Sequence, residues 1–144
     1  MIRSHIDSHP GLREQRDLLL TIPGIGETTA AKLLAEIMDV KLYESARQLA
    51  AFAGLAPRLH ESGSSVRKMA KLSKVGAPRL RKALYFPAIS AIKHNPYIKD
   101  LGERLRKRGK CPMQVIGAAM RKLIHIAYGV LKSGRPFDPE LKTA

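Results

Sequence analysis

A serine in a polar, glycine-containing segment is the residue of this chain that is best suited to chemistry. Ser62 lies in the run RLHESGSSVR at positions 58–67, outside any apolar periodicity. A hydroxyl is a weak nucleophile at neutral pH and needs a base or a metal ion to activate it. Arg58, Arg67 and Lys68 are placed to neutralise charge on an attacked phosphate. These residue types favour attack on a phosphodiester, although most loop serines have no such role.

The neighbours of this serine leave its activation open. His60 is two residues away, but neighbouring side chains in a loop often diverge, so it is not an obvious base. Ser64 and Ser65 are the local competitors for the role of nucleophile. A tyrosine nucleophile is also conceivable, but Tyr85 and Tyr128 lie in apolar helical stretches and are interpreted as packing residues.

The positive charge of the chain is concentrated around and after this serine. Residues 58–110 contain 15 Lys and Arg and three Asp and Glu, which makes +12 of a total net charge of +14. A polyanion would neutralise such self-repulsion, so a nucleic acid is favoured over a merely solvated basic face. Tryptophan is absent and aromatic residues make up 5% of the sequence, so base stacking is not the obvious mode of binding. A basic protein that binds acidic membranes is the weaker alternative.

Cysteine usage and hydropathy indicate the compartment. Cys111 is the single cysteine, which excludes an intrachain disulfide and fits a reducing cytoplasm. The sequence shows neither a signal-peptide pattern nor an apolar run long enough to span a bilayer. The five histidines and the cysteine show no metal-ligand spacing, so no metal site is expected in this chain. We expect a cytoplasmic protein of a bacterium or archaeon that is associated with the nucleoid.

A turn that contains two glycines separates two apolar helical patterns near the start of the chain. The run LLLTIPGIGETTA at positions 18–30 resembles a helix-hairpin-helix motif. Gly24 and Gly26 would let the backbone lie close to a phosphate, and the next helix would offer amide donors. We expect both glycines to face outward while Ile22 and Ile25 pin the turn to its helices. The alternative is a plain helix–turn–helix corner.

Hydrophobic periodicity and capping residues predict an almost wholly helical, mainly all-α chain. Residues 55–74 have no helical periodicity and are predicted to be a loop or a loose hairpin. Pro87 is expected to bend its helix or split it in two. Residues 1–10 are polar and are predicted to be a frayed start. The helices are predicted at 11–21, 27–38, 45–53, 77–93, 96–108 and 112–133.

Several ordered motifs resemble the C-terminal transposase domain of the insertion-sequence 110/116/902 family, over residues 18–138. They are FAGLAPR at 52–58, ESGSSVR at 61–67, LSKVG at 72–76, LRKALY at 80–85, MRKL at 120–123 and AYGVLKSG at 127–134.

This resemblance implies a DNA recombinase that is guided by a structured RNA and works as a homo-oligomer. The nucleophile of the family maps onto Ser62, which would form a covalent phosphoserine link with DNA. The acidic ligands that hold Mg²⁺ belong to an N-terminal RuvC-like domain, which we expect this chain to lack, so that it would be inactive alone.

Three parts are accordingly expected: a truncated helical connector (1–16), a helix-hairpin-helix part (17–57) and a serine-bearing basic part (58–144). The basic cluster Arg104, Arg106, Lys107, Arg108 and Lys110 fits a helix dipole and a nucleic acid equally well. His125 is interpreted as a half-buried packing residue. A non-catalytic DNA-binding module is the alternative to a nucleophile-carrying one. The residues expected to contact nucleic acid are Gly24, Ile25, Gly26, Thr28, Arg58, Arg67, Lys68, Lys71, Lys74, Arg79, Arg81 and Lys82.

Overall fold

A computed structural model of the chain describes residues 5–6, 8–55 and 77–140. Within these ranges the secondary structure is helical without strands, which confirms the prediction of a mainly all-α chain. None of the described helices is both long and apolar enough to cross a membrane. The helices are α1 (Pro10–Leu20), α2 (Glu27–Ile37), α3 (Ala46–Phe52), α4 (Pro78–His94), α5 (Pro96–Lys107) and α6 (Pro112–Ser133), with a 3₁₀ turn at Val40–Leu42.

Local capping explains where the helices begin and end. The Ser45 hydroxyl accepts from the backbone N–H of Gln48 and so caps α3. Proline occupies the first position of α6, where its missing N–H costs no helical bond. Gly134, with φ of 69°, ends that helix in the left-handed conformation that favours glycine.

The last helix is the spine of the fold. Helix α6 packs against α1, α3, α4 and α5, and α4 in turn packs against α2 and α5. The sequence predicts an apolar stripe of five residues along α6, at spacings of three and four; the stripe is confirmed, because four of the five are buried and Ile116 is half-buried. The four are Met120, Leu123, Ala127 and Val130.

The helix that contains Pro87 is continuous. Helix α4 runs from Pro78 to His94 through Pro87, so the predicted split is wrong. Proline removes a single N–H from the helical ladder, and tertiary packing can offset that loss. Pro87 is itself buried, and its contacts with the core supply such packing.

Ile6, near the start of the chain, packs into the core of the described fold. Ile6 is 3% exposed and belongs to the hydrophobic core, so the expectation of a frayed start is wrong for this residue. The Nδ1 atom of His9 lies 2.8 Å from the carbonyl oxygen of His5, and the two rings are tilted by 36° with 4.2 Å between their centroids. Burial of the Ile6 side chain thus stabilises its position against the rest of the fold.

Candidate nucleic-acid interface

The turn between α1 and α2 is pinned by two isoleucines, as predicted. Ile22 is 1% exposed and Ile25 is 6% exposed. The N–H of Ile25 donates to the carbonyl oxygen of Ile22 over 3.0 Å. Because both its side chain and its N–H are engaged inside the turn, Ile25 positions the hairpin and does not itself offer a donor to a phosphate.

Gly24 corrects the expectation that both glycines face outward. Its φ is 108°, and a Cβ atom built on it would lie 2.8 Å from the Cβ of Ala91 and 3.0 Å from the carbonyl oxygen of Pro87. Real Cβ atoms do not approach so closely, so this glycine allows the turn to pack against the backbone of α4. The same residue type that permits approach to a phosphate is used here for approach to a neighbouring helix.

Gly26 and Thr28 do occupy the exposed side of the turn. Gly26 is the N-cap of α2, and a Cβ atom on it would meet nothing within 4 Å. Thr28 is exposed in the first turn of the same helix. First-turn N–H groups lack helical acceptors and carry a partial positive charge, which suits an anionic oxygen. Glu27 already places one carboxylate there, so a phosphate would share this helix end with it.

The cations at the start of α4 divide between two sides of the helix. Arg79, Arg81 and Lys82 are all exposed, and none forms an ion pair with another described residue. At about 100° per residue, Arg79 and Lys82 lie within about 60° of each other, whereas Arg81 lies about 100° beyond Lys82. Gly24 packs on the buried face of α4, so the hairpin and the Arg79–Lys82 face are separate surfaces.

Leu55 and Ala77, the two residues that flank positions 56–76, both donate backbone hydrogen bonds to α3. The N–H of Ala77 donates to the carbonyl oxygen of Phe52 over 2.7 Å, and the N–H of Leu55 donates to that of Ala50 over 2.8 Å. The end of α3 and the start of α4 therefore meet where residues 56–76 leave and rejoin the described chain. Of the loop predicted at 55–74, the structure describes Leu55 alone. The predicted site residues that lie outside the described residues are Ser62, Arg58, Arg67, Lys68, Lys71 and Lys74.

A second basic surface surrounds the end of α5. Arg104 forms an ion pair with Asp100 at 3.1 Å between Nε and Oδ2, four residues apart and largely exposed. Exposed pairs of this kind stabilise a helix by a few tenths of a kcal/mol. The cluster also includes the exposed residues Arg106, Lys107, Arg108 and Lys110.

A third group of cations, around His125 on α6, was not recognised as a cluster from the sequence. His125 is half-buried, as its interpretation from the sequence expected. Burial lowers the pKa of its imidazole, and the positive charges of Arg121, Lys122 and Arg47 lower that pKa further. Arg121 and Lys122 precede His125 by one helical turn, but Arg47 is brought near only by the packing of α3 on α6. The sequence therefore offered no signal for Arg47.

The two tyrosines considered as nucleophiles serve packing in the described fold. The Tyr128 hydroxyl donates to the carbonyl oxygen of Tyr43 over 3.4 Å. Tyr85 is half-buried and makes an edge contact with Phe86. Among the residues that the structure describes, no three His, Cys, Asp or Glu side chains lie close enough to hold a metal ion.

Several known proteins are similar in sequence to this chain. A Pilin gene-inverting protein of Moraxella bovis is 42% identical over 94% of this chain and 42% of its own length. An insertion element IS110 protein of Streptomyces coelicolor, described as uncharacterized, is 28% identical over 97% of this chain and 33% of its own length. A transposase for insertion sequence element IS1111A of Coxiella burnetii is 38% identical over 51% of this chain and 20% of its own length.

The chain thus spans less than half of the length of these relatives. The model of the family described as Transposase IS116/IS110/IS902 matches residues 16–103, which is more than half of the chain. This match, together with a relative at 42% identity over nearly the whole chain, identifies the chain as a member of the Transposase IS116/IS110/IS902 family.

Proposed function

We propose that this chain is the DNA-binding, nucleophile-carrying part of a transposase or DNA recombinase. In the proposed reaction the Oγ atom of Ser62 attacks the phosphorus of a DNA phosphodiester and loses its proton to a base. The new Oγ–P bond replaces one bridging P–O bond, and the released sugar oxygen takes up a proton. Strand exchange reverses these steps with a different sugar hydroxyl as the attacking group.

Family membership supports a recombinase role, since the relatives include a gene-inverting protein and a transposase by name. The local observation that supports the proposal is the Ala77–Phe52 hydrogen bond, because it holds the start of α4 against the end of α3, the two elements that flank residues 56–76 in the sequence. Arg79, Arg81 and Lys82 lie within the first two turns of α4. In the proposed complex these exposed cations would bind backbone phosphates and stabilise the charge that develops on the attacked phosphate.

The remaining parts of the machinery are proposed to come from outside this chain. A RuvC-like domain of the complete protein would bring the carboxylates that hold Mg²⁺, and that ion would supply the activation of the hydroxyl. A structured guide RNA would choose the target, and the complete protein would act as a homo-oligomer near the nucleoid. In this arrangement the present chain binds the DNA backbone and presents the serine.

Recombination by the complete protein tests the proposal. With a RuvC-like domain present, Ser62→Ala is expected to abolish recombination of a two-site plasmid while DNA affinity stays within about twofold, since a hydroxyl adds little to backbone binding. Ser65→Ala is the matched control and should retain recombination. Recombination that persists after Ser62→Ala would contradict the assignment.

A non-catalytic helix-hairpin-helix module is the second candidate. The exposed N-terminus of α2 at Gly26 favours it, because backbone binding there needs no nucleophile. The two candidates differ when the complete protein is assayed: a binding module would hold DNA with the same affinity whether or not Ser62 is present, and would never promote recombination. Binding to anionic vesicles but not to duplex DNA would contradict both and favour a membrane-binding protein.

A further inference from the structure

Phe86 is the most exposed large hydrophobic side chain of the described residues. It is 77% exposed, although it lies in the middle of α4, next to the buried Pro87. A phenylalanine side chain that stays exposed to water does not contribute the stabilising free energy that its burial would give. Isolated exposed apolar residues are common, so exposure alone assigns no role to Phe86.

The neighbours of Phe86 on the helix surface are cations. Arg79, Lys82 and Lys93 are exposed on the same helix, at offsets of −7, −4 and +7 from Phe86. At about 100° per residue, all four side chains leave α4 within an arc of about 60°. None of the three cations forms an ion pair with another described residue. One aromatic ring therefore stands in the middle of a basic face that no carboxylate of the described residues neutralises, and we name it the Phe86 face.

The ring of Phe86 contacts one neighbouring aromatic side chain. Tyr85 contacts it edge-on, with 5.3 Å between ring centroids and 77° between planes. The backbone at this point is held by Pro87 and Ala88, which are both buried. The buried side of α4 carries the contact with Gly24, so the Phe86 face is distinct from the hairpin surface.

We propose that Phe86 stacks on an unpaired nucleobase while Arg79, Lys82 and Lys93 bind the phosphates on either side of it. This inference rests on the proposed binding of nucleic acid. Stacking on an aromatic ring tolerates any base, because every base has a π-face, and cations beside the ring hold the strand. Lys82 and Lys93 are eleven residues apart, about 16 Å along the helix, which is room for a few nucleotides.

The charges argue against an apolar protein partner on this face. A partner that covered Phe86 would also remove three cations from water, and such desolvation is costly unless each cation is paired. A nucleic acid strand supplies both the flat apolar surface and the negative charges. A strand displaced from a duplex during recombination would present bases of this kind.

Fluorescent oligonucleotides that contain 2-aminopurine test this inference. Single-stranded DNA and RNA of one sequence, and the matching duplex, are titrated with the wild-type chain and with Phe86→Ala, Phe86→Leu and Phe86→Tyr. We expect Phe86→Ala and Phe86→Leu to weaken single-strand binding about tenfold and to abolish the quenching of 2-aminopurine, while Phe86→Tyr keeps both. Met113→Ala is the control, since Met113 is 64% exposed on α6 without the basic stripe. The relative affinities of DNA and RNA show which strand carries the base.

Each other outcome contradicts the inference in a different way. Equal single-strand affinity for Phe86→Leu and the wild type would overturn stacking, since leucine keeps the apolar surface without the ring. A change in oligomer mass without a change in affinity would make the face an interface between copies of the chain. Duplex binding that persists in a wild type with no single-strand affinity would overturn the inference and leave the proposed function standing. A wild type that binds neither strand nor duplex would overturn both.

Discussion

The side-chain amide of Asn95 joins the hairpin turn to the corner between α4 and α5. Its Nδ2 atom donates to the carbonyl oxygen of Pro23 over 3.2 Å, across 72 residues of sequence. Its Oδ1 atom accepts from the N–H groups of Tyr97 at 3.1 Å and Ile98 at 3.4 Å, and so caps α5. Asn95 is fully buried, so both halves of the amide are used away from water. The geometry of the hairpin therefore depends on a residue outside the hairpin.

Replacement of Asn95 should destabilise the fold through the loss of two interactions, the cap of α5 and the hydrogen bond to Pro23. Asn95→Ala removes the cap and leaves the Pro23 carbonyl group without its partner, which together should lower the free energy of unfolding by about 2–4 kcal/mol. Asn95→Ser keeps an acceptor for the cap but is too short to reach Pro23, and should cost about half as much. Urea unfolding followed by circular dichroism measures both values. Equal losses for the two variants would show that the cap contributes nothing.

A methyl group added at Gly24 should destabilise the fold far more than a methyl group added at Gly26. Gly24→Ala places a Cβ atom against Ala91 and Pro87 at a φ of 108°, so it should lower the free energy of unfolding by about 2–4 kcal/mol. Gly26→Ala meets no neighbour within 4 Å and should cost no more than about 1 kcal/mol, the penalty for a weaker N-cap.

The same pair separates packing from DNA binding. Gly26→Ala should weaken duplex DNA binding while the protein stays folded, because the methyl group interferes with approach of a phosphate to the start of α2. Fluorescence anisotropy at one fixed salt concentration measures the affinity. An unchanged affinity would make the hairpin a structural corner only.

The stability of the fold should fall on mild acidification because of His125. Burial, followed by Arg121, Lys122 and Arg47, lowers the pKa of its imidazole below the ordinary value of 6.5. The unfolded chain then binds this proton more readily than the folded chain as the pH falls below about 6.5. The part of the free energy of unfolding that depends on a neutral His125 is fully present above about pH 6.5, and it is lost as the pH falls towards the lowered pKa.

His125→Gln should remove this part of the pH dependence. The check is the difference in urea midpoint between pH 8 and pH 5.5, compared for the two proteins, so that the other histidines cancel. An identical difference in both would contradict the assignment to His125. Binding of a polyanion near the three cations should raise the pKa of His125, which NMR titration would detect.

The cations of the Phe86 face should contribute to binding through charge alone. Arg79→Ala and Lys82→Ala should each reduce the slope of log K against log salt by about one and weaken all DNA sequences alike. Lys41→Ala is a control, because Lys41 is an exposed cation in the 3₁₀ turn after α2. If Lys82→Ala leaves the slope of log K against log salt unchanged, the phosphates of the bound DNA do not contact Lys82.

The helices and their ends were predictable because the signals are local. Ser45, Asn95, Pro112 and Gly134 each act within one turn of their own helix, so their effects can be read from a few neighbouring residues. The inward packing of Gly24 was not predictable, since it depends on Ala91, which lies far away in sequence and is brought close only by folding.

The candidate site was predictable only in part for the same reason. Exposed cations at the start of α4 follow from their residue types. The isolation of Phe86 among Arg79, Lys82 and Lys93 needs a helix that continues through Pro87, whereas that proline was expected to bend or split it. The role of Ser62 comes from resemblance to the family and stays a prediction.

Covalent capture of DNA tests the central claim most directly. The complete protein, with a RuvC-like domain, is incubated with a nicked recombination site that traps the intermediate, and the adduct is digested and sequenced by mass spectrometry. We expect the phosphate on Ser62, and no adduct from Ser62→Ala, while Ser64→Ala still forms it. An adduct mapped to Ser64, Ser65 or a tyrosine, or one that survives Ser62→Ala, would contradict the account.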